Sequence, residues 1–339
     1  MAERHTQNEV DMKKLGKNTY KPNTAMSEDQ FRAKFSTEHK TRKYLEWLIW
    51  GKKPRCPYCG SINTGKWNRS DGRKGWHRCY NRECKRQFTI RVGTVFEHSK
   101  IPLRKWMLAL YYIVTDRKGI SSMALSKKLG ISYKYAWFLQ HRIRHGLDSG
   151  NFNSLLGGLG KVVQSDETYA GGRNKNRHKN KKVEGSGPVG KAIILGLSEL
   201  GGRKKAVVIS NTERETIMAE INRHVRKGSV LSTDEATHYS GASRQGYKHR
   251  SCNHSAKKWI DGMASTNDVE MMWSLLKRAF YGIFHKFSIE HLQKYVAESV
   301  FRLNEGHCKY QTMDRVNAIV NYCQGKRLTW AQCVGEVIA

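Results

Sequence analysis

Two cysteine pairs constrain this chain more than any other feature: Cys56-Pro57-Tyr58-Cys59-Gly60 and, after nineteen intervening residues, Cys79-Tyr80-Asn81-Arg82-Glu83-Cys84. Two close pairs separated by a short hairpin suit a tetrahedral Zn2+, because each pair wraps half of the coordination sphere and the intervening strands hold the halves together. A redox Cys-x-x-Cys would have no use for the second pair. Cys56, Cys59, Cys79 and Cys84 are therefore read as ligands of a structural Zn2+, with Gly60 supplying the sharp turn after the first knuckle. Between the pairs, Lys66, Trp67, Arg69, Arg73, Lys74, Trp76, His77 and Arg78 mix basic and aromatic side chains. That mixture fits a ribbon facing DNA, with Trp67 and Trp76 serving equally well as the core of so small a unit.

The charge balance points the same way. The 339 residues carry 61 Lys+Arg against 29 Asp+Glu, a formal net charge of +32 spread along the whole chain. A field that positive favours a polyanion, and phosphate neutralisation with counterion release gives salt-sensitive, sequence-independent affinity. An anionic membrane surface is the competing reading of charge alone. No run of 18 apolar residues occurs and the polar N-terminus has no signal-peptide core, so a cytoplasmic, nucleoid-associated protein with no membrane partner is expected. Reducing conditions then argue against a disulfide framework for the eight cysteines, and the widely spaced Cys252, Cys308, Cys323 and Cys333 are read as buried thiols. Cys252 and His254 lie close enough to keep a small metal site open.

The chain divides into consecutive segments. Residues 1–26 form a flexible basic leader and 27–50 short amphipathic helices, opened by a Ser27/Gln30 capping box. The zinc ribbon occupies 51–98. Residues 99–150 are helical, and within them Gly130 separates a helix carrying Ala124, Leu125 and Leu129 from one carrying Ile131, Ala136, Leu139 and Ile143. This is the layout of a helix-turn-helix, with Ser132, Tyr133, Lys134 and Tyr135 opening the recognition helix. From 158 to 305 the pattern is strand, strand, strand, helix, strand, strand, helix, followed by C-terminal helices over 306–339. The third of these strands follows a Gly201-Gly202 hairpin turn, the fifth is expected over 248–259, and 171–190 read as a basic loop.

Three acids sit at informative places in that order: Asp166 closing Lys161-Val-Val-Gln-Ser-Asp166, Asp234 closing Ser229-Val-Leu-Ser-Thr-Asp234, and Glu270 at the start of a helix. The order resembles the ribonuclease-H-like α/β fold, in which the first strand and the strand after the first helix are neighbours, so Asp166 and Asp234 would meet. Hard oxygen ligands suit Mg2+ or Mn2+, and phosphodiester displacement gains from two such ions on the attacking and leaving oxygens. Lys277 lies seven residues beyond Glu270, two turns along the same helix face, where it can contact a phosphate. Asn267 followed three residues later by Glu270 also reads as a capping box, which would give Glu270 a purely structural task. Glu167 and Glu235 fall on strand faces opposite their neighbouring aspartates, solvation is expected for Asp268, and His238 and His254 are read as solvated or packing histidines.

The cysteine quartet, Ser165-Asp166-Glu167-Thr168-Tyr169-Ala170-Gly171-Gly172, Ser232-Thr233-Asp234 and Thr266-Asn267-Asp268-Val269-Glu270-Met-Met-Trp273-Ser274-Leu-Leu276-Lys277-Arg278 together resemble the DDE transposases of bacterial insertion sequences. The similarity is to their zinc-ribbon-bearing branch related to the Merlin superfamily, of ISXO type. The resemblance implies binding of double-stranded DNA at terminal inverted repeats, cleavage there, and joining of the freed 3′ ends to target DNA with divalent metal. It implies Asp166 and Asp234 as the first two acids. Some members of that branch carry Asn or His at the third position, so both Glu270 and Asn267 stay open, with Glu270 the better metal ligand. The DNA-contacting set is Trp67, Arg69, Arg73, Lys74, Arg78, Tyr133, Lys134, Lys277 and Arg278. A homodimer or higher oligomer on DNA follows from the need to hold two ends. A ribonuclease-H-like nuclease without strand transfer, and a DNA-binding-only regulator or domesticated transposase, are the rival functions.

Overall fold

The structure, a computed structural model, describes residues 25–150, 154–171, 190–234, 237–251, 266–285, 287–305 and 311–335. Most of the leader, most of the basic loop, and Cys252, His254 and Cys308 lie outside the described residues. Among those described, no helix is long and apolar enough to cross a membrane.

Two short helices come first, α1 (Glu28–Lys34) and α2 (Glu38–Trp50), and the Ser27/Gln30 capping box forms as its sequence requires. The ribbon follows as an antiparallel sheet of β1 (Thr64–Trp67), β2 (Trp76–Cys79) and β3 (Gln87–Phe88). Its interior is Cys56, Cys79 and Phe88, with Trp50 of α2 packed against them. Trp67 and Trp76 face each other across β1 and β2 but remain half-exposed, covered by the guanidinium groups of Arg78 and Arg69 at 4.6 Å from each ring. The paired indoles are thus part of a basic surface rather than the ribbon's core.

Next come α3 (Leu103–Thr115), α4 (Ser122–Leu129) and α5 (Tyr133–Gly150). The first turn of α3 has no cap of its own, and the Glu38 carboxylate of α2 accepts from the N–H groups of Leu103 and Arg104 at 2.8 and 3.2 Å. An anion there satisfies orphan donors and suits the helix dipole. Gly130 ends α4 in the left-handed conformation at φ 58°, where a side chain would be strained. Leu125, Leu129, Ala136, Leu139 and Ile143 are buried as the helix pair requires, whereas Ser132 to Tyr135 are exposed. One hydrophobic core joins Phe31 and Leu45, the apolar faces of α3 to α5, Phe301 of α8 (Leu292–Glu305), and Val316, Ile319 and Val320 of α9 (Thr312–Tyr322). A buried ion pair between Arg144 and Glu298, with Arg302 on the same carboxylate, ties α5 to α8.

The remaining elements build a five-stranded mixed sheet in the order β6-β5-β4-β7-β8. Its strands are β4 (Val162–Ala170), β5 (Ala192–Glu199), β6 (Lys204–Ile209), β7 (Val230–Thr233) and β8 (Lys248–Ser251), with β4, β5 and β6 antiparallel and β7 and β8 parallel to β4. The connection from β6 to β7 runs through α6 (Arg214–His224), and α7 (Asn267–Ala279) lies on the opposite face with α8. All five strands and both helices occur in the order read from the sequence, and β8 is described as far as Ser251.

Candidate catalytic site

The two aspartates meet because β4 and β7 are parallel neighbours in a fixed register. Val162 pairs with Val230 and Gln164 with Ser232, an offset of 68 residues. Asp166 and Asp234 have the same offset, so they are the next step of that register, on the same sheet face and just past the last residue of β7. Asp166 does not close its strand as the sequence suggests; β4 continues to Ala170 because β5 pairs with it along that whole length. The side at which the short parallel partner ends is where the carboxylates gather.

Side-chain alternation along β4 divides the site into two faces. Toward α7, the Trp273 indole Nε1 donates to Asp166 Oδ2 at 2.8 Å. Trp273 fits there because Gly196, the register partner of Asp166 on β5, has no side chain: a Cβ at 196 would stand 2.5 Å from the indole Cζ2. Burial pushes the Asp166 pKa up, partly offset by the Trp273 hydrogen bond, and the charges of Asp234 and Glu270 push it further in the same direction. Asp166 thus shares one electrostatic site with both other acids.

Toward the opposite face, Glu167 accepts from the buried Tyr239 hydroxyl, while His238 Nε2 lies 3.2 Å from its other oxygen and Ser165 Oγ lies 3.0 Å from the same hydroxyl. Glu167 is on the far face, as alternation requires, but it is a buried partner of Tyr239 and His238 rather than a bystander. His238 is accordingly neither solvated nor merely packing. Burial raises the Glu167 pKa against the lowering effects of Tyr239 and His238. Near Asp234, the Thr233 hydroxyl donates to the Asp234 carbonyl at 2.8 Å and lies 2.9 Å from His249 Nε2.

The start of α7 corrects the capping-box reading. The helix begins at Asn267 with Thr266 as N-cap, so Glu270 is one position too far along to bond the cap nitrogen, and no side-chain cap from Thr266 forms. The N–H of Asp268 points instead at Gln164 Oε1 at 2.9 Å, and that of Val269 is shared between the Thr266 carbonyl at 3.0 Å and Gln164 Oε1 at 3.3 Å. Gln164 and Asp166 are two residues apart on β4, so one strand face both caps the helix and presents the first acid. Glu270 is released from capping: it is exposed and accepts from Thr266 Oγ1 at 3.0 Å. Asn267 is exposed one turn before it, and Lys277 and Arg278 are exposed further along α7. Asp268 is not solvated as expected; it is half-buried, with Lys204 Nζ 3.8 Å away.

The cysteine quartet is assembled in the ribbon. Cys56 Sγ is 3.7 Å from Cys84 and Cys59 Sγ 3.6 Å from Cys79, and all four sulfurs lie within 4.8 Å of one another. A tetrahedral Zn2+ with bonds of about 2.3 Å requires sulfur separations of about 3.8 Å. The donor set fits that ion, and the longer second knuckle does not disturb it.

The segment that holds this mixed sheet and its acids is similar to a class of transposase domains. The particular type is the ISXO2-like transposase domain, which residues 155–304 match. A curated relative, the "Uncharacterized protein in transposable element ISH50" of Halobacterium salinarum, is 28% identical over 157 residues. That alignment covers 45% of this chain and 49% of the relative, so the chain spans about half the length of the curated relative it matches. A solved pre-cleavage Mos1 transpososome aligns over 93% of this chain and 100% of its own at 10% identity, with a TM-score of 0.18, at which no shared fold follows.

Gln164, Trp273, Gly196 and Tyr239 escape sequence reasoning as site residues. Two signals point to the first and third: a glutamine two residues before Asp166 on the same strand face, and a glycine inside Ile193-Ile194-Leu195-Gly196-Leu197.

Proposed function

We propose that the chain is a metal-dependent DNA transposase that binds terminal inverted repeats, cleaves them and joins the 3′ ends to target DNA, on a ribonuclease-H-like catalytic domain. The observation that carries this reading is the convergence of Asp166, Asp234 and Glu270 within the segment that matches a transposase domain. In this proposal the three carboxylates hold Mg2+ or Mn2+, and the ions supply Lewis-acid stabilisation of the attacking and leaving oxygens. Trp273 fixes the orientation of Asp166 by donating to one oxygen, which leaves the other for a cation. Because burial raises the Asp166 pKa, protons compete with the cation at a higher pH than for a free aspartate. Lys277 and Arg278 on α7 meet the DNA phosphates beside the acids. The ribbon residues Trp67, Arg69, Arg73, Lys74 and Arg78, with Tyr133 and Lys134 at the exposed start of α5, hold duplex DNA of the element ends. A homodimer or higher oligomer brings two ends together.

The test incubates purified protein with labelled element ends and Mg2+. Joined products that disappear in Asp166→Asn and Asp234→Asn are expected. Glu270→Gln and Asn267→Ala, made singly, separate the two candidates for the third ligand, and loss in the first alone is expected. Nicked but unjoined products point to a nuclease, and duplex binding with neither cleavage nor joining in the wild type to a regulator; either refutes strand transfer.

A further inference from the structure

A second group of metal-ligating side chains is made of residues that belong neither to the ribbon cluster nor to the acids. His141 of α5, His291 in the turn that leads into α8, and Cys333 of α10 (Trp330–Val334) come from three separate stretches of chain, and their donor atoms all lie within 4.8 Å of one another. His141 is fully buried and neither ring nitrogen has a hydrogen-bond partner; His291 Nδ1 is likewise buried and unpartnered. Buried polar atoms without partners are uncommon, and each calls for an explanation such as an ion. The surroundings are aromatic: the Trp137 ring is 4.1 Å from that of His141, Tyr295 5.6 Å from it, and Trp330 5.8 Å from Trp137.

We infer that His141, His291 and Cys333 bind a second Zn2+, which fastens the C-terminal helix α10 to α5 and to the start of α8. Two imidazoles and a thiolate are donors suited to zinc, and a tetrahedral centre needs donor separations of about 3.3 to 3.6 Å, reached by a small closure of this cluster. Metal binding through one nitrogen of His141 leaves the other as an N–H among the rings of Trp137 and Tyr295. Arg144 and Lys294 disfavour an added positive charge; the thiolate that Cys333 becomes as the ion displaces its proton, and Glu290 beside His291, offset it, Glu298 being already engaged by Arg144 and Arg302. Three protein ligands leave a fourth position for water.

The site is independent of the ribbon and of the proposed chemistry, so it is tested by counting metal. Full-length protein is loaded with excess Zn2+, passed into metal-free buffer by gel filtration, and its zinc measured by mass spectrometry. Two ions per chain are expected, falling by one in Cys333→Ser and in His291→Gln, and by one in the Cys56→Ser/Cys59→Ser variant. Circular dichroism on the first two variants checks that they remain folded. Substitution with Co2+ provides a second reading, because Cys333→Ser should reduce the thiolate-to-cobalt absorption while the four-cysteine bands persist. One zinc per chain in the wild type, or zinc content unchanged in both Cys333→Ser and His291→Gln, overturns the inference.

Discussion

Gly196→Ala tests whether the indole of Trp273 sets the first acid. The added Cβ would stand 2.5 Å from Trp273 Cζ2, 2.6 Å from Cη2 and 3.1 Å from Val269 Cγ1. Carbon atoms settle at about 3.5 to 4.0 Å, so the ring must retreat by about 1 Å. The indole cannot move that far and keep the 2.8 Å hydrogen bond to Asp166 Oδ2. Over-packing of this kind costs about 1–3 kcal/mol of stability, and a catalytic group misplaced by 1 Å loses roughly 100-fold in rate. Trp273→Phe provides the control, since it retains most of the packing and deletes the donor alone. Urea denaturation and end cleavage with Mg2+, measured side by side, should show both losses in Gly196→Ala and mainly the rate loss in Trp273→Phe. A Gly196→Ala protein as stable and as active as the wild type would refute the argument that a missing side chain on β5 orients the acid on β4.

Three further outcomes follow from the geometry. Glu298→Gln leaves Arg144 without its buried counter-charge and should destabilise the chain by about 3–5 kcal/mol in urea unfolding. Despite the desolvation that opposes it, the Arg144 and Arg302 guanidinium groups hold the Glu298 pKa down to about 2, from 4.5. Its contribution is therefore complete above about pH 4.5 and disappears as pH falls toward 2, and a wild-type loss of stability over that window that is absent in Glu298→Gln checks the sign. Gln164→Ala removes the acceptor of the Asp268 N–H and the second acceptor of Val269 at the start of α7, which should cost about 1 kcal/mol and increase amide exchange chiefly at Asp268. Chelation of the four-cysteine zinc should unfold β1 to β3 and weaken duplex binding, read by fluorescence of Trp67 and Trp76; an unchanged spectrum in metal-free protein would count against a zinc-dependent ribbon.

Local pattern carried most of the sheet because β5, β6 and β7 contain short apolar runs bounded by glycines or polar turns, whereas β8, Lys248-His249-Arg250-Ser251, has no apolar residue and is held by its parallel pairing with β7. It carried the pairing of Asp166 with Asp234 because strand order determines which strands are neighbours. The cap of α7 was not legible in the same way. Asn267 and Glu270 satisfy a capping pattern three residues apart, but Gln164, more than 100 positions upstream, supplies the acceptor and moves the helix start by one residue. A local pattern cannot report a competitor that arrives from another element. The same limit hid the role of Glu167, whose partners Tyr239 and His238 follow a turn beyond β7. It also hid Cys333, which as a single thiol in a short C-terminal helix has no spacing to read, whereas the ribbon cysteines occur in pairs.

The helical core has a consequence for the order in which the chain becomes a protein. Phe31 and Leu45 pack with Val316, Ile319 and Val320, and the Tyr44 hydroxyl donates to Asn317 Oδ1 at 2.8 Å. Helices α1 and α2 are synthesised more than 250 residues before their partners in α9, so this part of the core is not completed until α9 has left the ribosome. A product broken off anywhere before α9 lacks part of this core, and such a fragment should be cleared by proteolysis instead of persisting beside the intact chain.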